Sequence, residues 1–83
     1  MDAKLDTKAS GVDGMAYLVI YEKTGTGYGA HVPDLPGCIA GGPTLEAARQ
    51  RMAEAIRAHL EGMREDGTPI PEPTTEAELL EVA

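Results

Sequence analysis

The sequence has no phenylalanine, no tryptophan, a single cysteine, and no lysine or arginine after Arg64. Without Phe or Trp, and with only three tyrosines, any core must be built from Leu, Ile, Val, Met and Ala. A chain of 83 residues buries a modest fraction of its surface, which limits it to one domain. One cysteine excludes an internal disulfide, and with it a disulfide-built secreted scaffold. No apolar run approaches the ~20 residues of a membrane span, and Met1–Gly14 lacks the apolar stretch of a signal peptide. The expectation is a cytoplasmic protein without membrane contact.

What is present in excess is negative charge. The net charge is −7, and residues 66–83 supply −5 of it through Asp66, Glu72, Glu76, Glu78 and Glu81. A protein that grips phosphate concentrates Lys and Arg instead, so direct nucleic-acid binding is not expected. An acidic segment serves solubility, or it complements a basic partner. Both readings stand at this point.

The chain is organised around Gly27–Gly42, GYGAHVPDLPGCIAGG. Tyr28–Val32 and Gly37–Gly41 read as strands. Between them, Pro33 and Pro36 fix their own φ and bias the preceding residues towards extended geometry, and Gly37 is free to take positive φ. Upstream, AYLVIYEK at Ala16–Lys23 is a strand rich in β-formers, joined to Tyr28 by the TGTG turn. Downstream, Thr44 is suited to cap a helix over about Thr44–Glu65, with Leu45, Ala48, Met52, Ile56, Leu60 and Met63 on one stripe. Gly67 suits the position just past its end. Thr68–Pro73, with alternating prolines, is extended. Thr74–Ala83 fits either a short helix, with Thr75 and Glu78 as a capping box, or an edge strand over Glu78–Ala83; the strand is favoured. Met1–Gly14 reads as a flexible extension, residues 15–83 as the domain, and Met15 as an alternative start.

The order β-β-β-α, with an optional final β, predicts a two-layer α+β domain in which a three-stranded antiparallel meander packs on one helix. A single helix covers one sheet face. Strand one is apolar on both, which predicts that Tyr17, Val19 and Tyr21, with neighbours such as Tyr28 and His31, form an uncovered interface for a partner or a second copy.

Chemistry is poorly represented. His31 and Cys38 lie on neighbouring strands, but no third group orients them for nucleophilic catalysis, and a lone cysteine is usually a small buried hydrophobe. With His59 they show no zinc-ligand spacing. Asp34 reads as a turn residue bonding nearby backbone N–H groups, and Glu22 stands alone on the sheet. The glycines match no phosphate-binding fingerprint. No cofactor, metal or catalytic residue is expected.

The order of these motifs resembles the HicB-like antitoxin family. The resemblance runs from about Met15 to Pro73 and rests on three groups of residues. These are Tyr28 with Val32-Pro33-Asp34-Leu35-Pro36-Gly37-Cys38, Gly42 with Thr44-Leu45-Glu46-Ala47-Ala48, and Gly67-Thr68-Pro69-Ile70-Pro71-Glu72-Pro73. It implies a degenerate RNase H-like fold without that fold's catalytic carboxylates. Pro33, Asp34, Pro36, Gly37, Cys38 and Thr44 would then serve structure. It also implies a partner, a small basic HicA-type toxin that cleaves mRNA using a histidine and whose RNA-binding and catalytic surface the antitoxin occludes. Many family members add a C-terminal DNA-binding module. Here ten residues follow Pro73 with no basic recognition helix, so promoter binding is not expected of this chain. A stand-alone homo-oligomeric domain, structural or regulatory, is the alternative role.

Overall fold

The computed structural model describes residues 16–83. The proposed extension at Met1–Gly14 and the alternative start at Met15 lie outside them. Three strands, β1 (Ile20–Lys23), β2 (Tyr28–His31) and β3 (Ile39–Gly42), are followed by one helix, α1 (Leu45–Asp66). The strands form an antiparallel meander in the order β1-β2-β3, as expected for this α+β class.

Each turn follows from its residues. At the β1–β2 turn Thr24 Oγ1 accepts the N–H groups of Thr26 and Gly27, at 3.3 and 3.0 Å, and the Thr24 N–H donates to the Gly27 carbonyl at 2.8 Å. Between β2 and β3, two consecutive turns each carry proline at their second position. The Leu35 N–H donates to the Val32 carbonyl, and the Cys38 N–H to the Leu35 carbonyl, both at 3.0 Å. Gly37 has φ of +87°, the geometry of the third residue of a type II turn. This linker is itself core: Val32, Leu35 and Cys38 are all buried.

The same linker shortens the first strand. The ladder ends at the Ile20–His31 pair, because the Val32 N–H turns away to the Cys38 carbonyl and Pro33 has no N–H to offer. Ala16–Val19 therefore lack strand pairing, although the sequence predicts a strand from Ala16.

Helix α1 is capped at both ends. Thr44 Oγ1 accepts the Ala47 N–H at 3.0 Å, Glu46 sits in the first turn and Arg64 in the last. Gly67, with φ of +73°, closes the far end by donating to the Arg64 carbonyl, while the Thr68 N–H reaches the Met63 carbonyl. Ala48, Met52 and Leu60 are buried against the sheet, with Ala55, Ile56 and Met63 beside them. Leu45, predicted on the same stripe, is instead exposed at the helix start. The helix lies close over β3 because Gly42 has no side chain. A Cβ there would stand 2.9 Å from the Ala47 Cβ and 3.0 Å from the Ala48 nitrogen.

Residues 68–83 form neither the predicted edge strand nor the alternative helix. The segment is held by side chains rather than by a strand edge: Ile70 packs on the core, and Tyr17 Oη donates to the Pro71 carbonyl. No described helix is long and apolar enough to cross a membrane.

Candidate protein-interaction surface

Register decides what each sheet face presents. Cross-strand pairing puts Tyr21, Ala30 and Ala40 in one row and Ile20, His31 and Ile39 in the next. Adjacent rows face opposite ways. Ala30 is buried, and Tyr17, Val19, Tyr21 and Ala40 pack against the core around it. The expectation that Tyr17, Val19 and Tyr21 lie uncovered is thus corrected: they are on the helix side. Hydropathy cannot make this choice in a strand apolar on both faces, whereas the pairing of Tyr21 with buried Ala30 does.

Among the described residues, the uncovered face is consequently the row of Ile20, His31 and Ile39. Ile20 and His31 are half-buried, and Ile39 is 69% exposed. The next row on this face is Glu22, Gly29 and Gly41, so two of its three positions are bare backbone. The result is a shallow, mostly aliphatic surface with one imidazole at its centre and one carboxylate at its edge. Of the residues predicted for an interface, His31 lies here. Tyr28 belongs to the covered side, in the row of Lys23 and Gly42.

His31 and Cys38 are not brought together. Cys38 is in the buried core, where desolvation raises its thiol pKa and keeps it protonated, while His31 faces the other way. Among the described residues, no three His, Cys, Asp or Glu side chains converge to hold a metal.

Asp34 has a larger role than the local turn predicted for it. Its carboxylate accepts the N–H groups of Thr74 and Thr75, both at 3.0 Å, and their hydroxyls at 3.2 and 2.7 Å. These four bonds join residues forty positions apart, and the Thr75 donors above all hold the Asp34 carboxyl below its ordinary pKa. The same strap passes Tyr17, whose phenol is pushed up by burial and then by the nearby carboxylates of Asp34 and Glu72. No spacing rule links an aspartate in one turn to a threonine pair after a helix, so the sequence carries no signal for this clasp. Beyond it, Leu79, Leu80 and Val82 are 100%, 72% and 89% exposed.

Comparison with known proteins places this arrangement. The family model described as the HicB-like antitoxin of bacterial toxin–antitoxin systems matches residues 17–82. The chain belongs to the HicB-like antitoxin family. The match begins at Tyr17 and ends at Val82, so it takes in the sheet, the helix and the strap. This HicB-like chain is 46% identical over 57 residues to a 14.9 kDa protein from the rep–hol intergenic region of Haemophilus phage HP1. That region is 69% of this chain and 43% of the phage protein, so the chain matches less than half of that relative's length. It is 40% identical over 63 residues to a UPF0150 protein of Thermoplasma acidophilum, covering 75% of this chain and 91% of the archaeal one. Among solved structures, it resembles a chain of the HicA3 and HicB3 toxin–antitoxin complex with a TM-score of 0.63 and 30% identity. That likeness covers 72% of this chain and 70% of the other.

Proposed function

We propose that this HicB-like chain is the antitoxin of a toxin–antitoxin pair, a non-enzymatic protein that binds a small basic HicA-type toxin and occludes its RNA-binding and catalytic surface. The observation that carries the reading is the antitoxin-family match over residues 17–82, which takes in sheet, helix and strap, and the likeness to a chain of a toxin–antitoxin complex supports it. A partner protein needs an apolar landing surface, and the Ile20–His31–Ile39 face supplies one. An mRNA-cleaving target places the pair in the cytoplasm. The experiment is a search of the neighbouring reading frames for a HicA-type toxin and co-expression with the one found: growth should be rescued, and the two proteins should co-purify. Toxicity undiminished by well-expressed antitoxin would reject the reading.

A second reading uses the same face. Its central row, Ile20–His31–Ile39, holds no carboxylate, lysine or arginine, so two copies can meet there without bringing like-charged acids or fixed cations together, as a two-fold self-association requires. Homo-oligomerisation through Ile20 and Ile39 is compatible with toxin binding elsewhere on the chain. Alone, it would describe a structural or regulatory domain with no toxin.

A further inference from the structure

Three pieces of chain that are neither helix nor strand meet at the end of the meander opposite the TGTG turn: residues 17–19, residues 32–38 and the strap, residues 68–75. The middle piece is held by its own backbone, since main-chain hydrogen bonds close its two turns, and Leu35 within it is fully buried. The outer two have no ladder to join, because pairing on β1 ends at Ile20. Side chains hold them instead. Tyr17, Val19 and Ile70 pack against the core, and Tyr17 Oη donates to the Pro71 carbonyl. The Asp34 carboxylate accepts both N–H groups and both hydroxyls of Thr74 and Thr75.

These contacts run in series. Asp34 fastens the strap to the β2–β3 linker, and the strap, through Pro71, fastens Tyr17. Firm structure bounds both outer pieces. Gly67, with φ of +73°, ends α1, and the Thr68 N–H donates to the Met63 carbonyl, so the helix stays closed when the chain beyond it lifts. Ile20 begins the ladder on the other side. Within the strap, Pro69, Pro71 and Pro73 stiffen the chain and remove three N–H groups that would otherwise need partners. A segment with few backbone bonds and a small apolar contact opens at lower free energy than the sheet or helix beside it.

We propose that residues 17–19 and 68–75 form a latch, one unit that opens and closes together with Asp34 as its fastening, while the sheet and α1 stay folded. Closed, the latch keeps Tyr17, Val19 and Ile70 on the core. Open, it releases these three side chains and bares the end of the core on which they pack. The device is a property of this fold and does not depend on the antitoxin reading.

The test is amide hydrogen exchange at low urea, joined to relaxation-dispersion NMR, on the full chain and on two variants that keep side-chain shape, Asp34→Asn and Tyr17→Phe. In the parent, the Thr74 and Thr75 amides should open at least tenfold more often than that of Met52. Their opening should depend little on urea, because little surface is exposed, whereas Met52 should follow the slope of global unfolding. Asp34→Asn should raise the open population severalfold at the Tyr17 ring and the Val19 methyl groups as well as at the threonines. Tyr17→Phe should speed exchange at Thr74 and Thr75 severalfold, although these amides donate to Asp34 and not to the phenol. Those two cross-effects are what a pair of independent contacts would not produce. If Thr75 and Met52 open equally often and with the same urea slope, the latch is part of one global unit and the proposal is wrong. If Asp34→Asn frees the threonines but leaves Tyr17 and Val19 unmoved, the clasp is a local contact and the latch is equally refuted.

Discussion

The two faces of the sheet are built from the same three strands, one residue out of phase, and differ in almost everything else. On the covered side the row Tyr21–Ala30–Ala40 sets one large ring beside two small residues, so the helix can approach over β2 and β3 while the tyrosine fills the space towards β1. On the other side the row Ile20–His31–Ile39 has two branched aliphatics and a half-exposed imidazole, and none of the described residues forms a layer above them. Burial is thus assigned by shape as much as by hydrophobicity. The side with small residues receives the helix, and the side with large aliphatics is left for other contacts.

The largest effect that tests this contrast lies at the centre of the covered side. Leu35 is fully buried and Leu60 nearly so, and truncating either to alanine should cost about 2–5 kcal/mol, the usual loss for a buried leucine. In a small domain whose whole stability is on the order of 5–15 kcal/mol, that loss should be plain in a denaturant titration as a lower midpoint with an unchanged slope. A Leu35→Ala variant as stable as the parent would mean that the β2–β3 linker is not part of the core.

Much of this arrangement is legible in the residues. The capped helix follows from Thr44, the aliphatic stripe and Gly67, and the meander follows from the TGTG turn and the two prolines. These are local signals, each satisfied within a few positions. The assignment of faces was not legible, because the first strand is apolar or aromatic on both sides and hydropathy alone favours burying Leu18 and Ile20 over Tyr17 and Tyr21; the pairing of Tyr21 with buried Ala30 decides it. The Asp34 clasp was not legible either, since its four donors are supplied forty residues away by a segment with no periodicity. The final strand predicted for Glu78–Ala83 failed for a related reason. Alternation favoured a strand, but the segment's root is tied to a carboxylate and not to a sheet edge.

A smaller, pH-dependent effect should separate the strap from the core it closes. Asp34 is held below its ordinary value of 3.8, so its clasp stabilises the folded chain fully above that pH. As the pH falls below 3.8, unfolded chains take up the proton first, stability declines, and the contribution is gone once the folded-state carboxyl is protonated. Amide resonances of Thr74 and Thr75 should shift through this acid window while those of Ala30 and Met52 do not. Asp34→Asn replaces an acceptor-only carboxylate by a group with one acceptor oxygen, so it should weaken the clasp at neutral pH and abolish the acid-dependent shift. If Ala30 and Met52 moved with the threonines, strap and core would be one cooperative unit.

The smallest expected change in stability is the sharpest test of the open face. Ile39→Thr keeps the branched β-carbon that suits a strand and removes aliphatic surface that is already 69% exposed. Its unfolding free energy should stay within about 0.5 kcal/mol of the parent, as for surface substitutions away from special features. Its association should not be spared: if this face receives a toxin or a second copy, sedimentation or binding should show a clear loss of affinity, because a hydroxyl is then buried where a hydrocarbon was. A variant that is destabilised by 2 kcal/mol yet associates normally would invert the contrast and make the Ile20–His31–Ile39 row part of the fold's own core. A variant unchanged in both respects would leave this face as plain surface, and move the search for the partner contact to the strap and the segment beyond it.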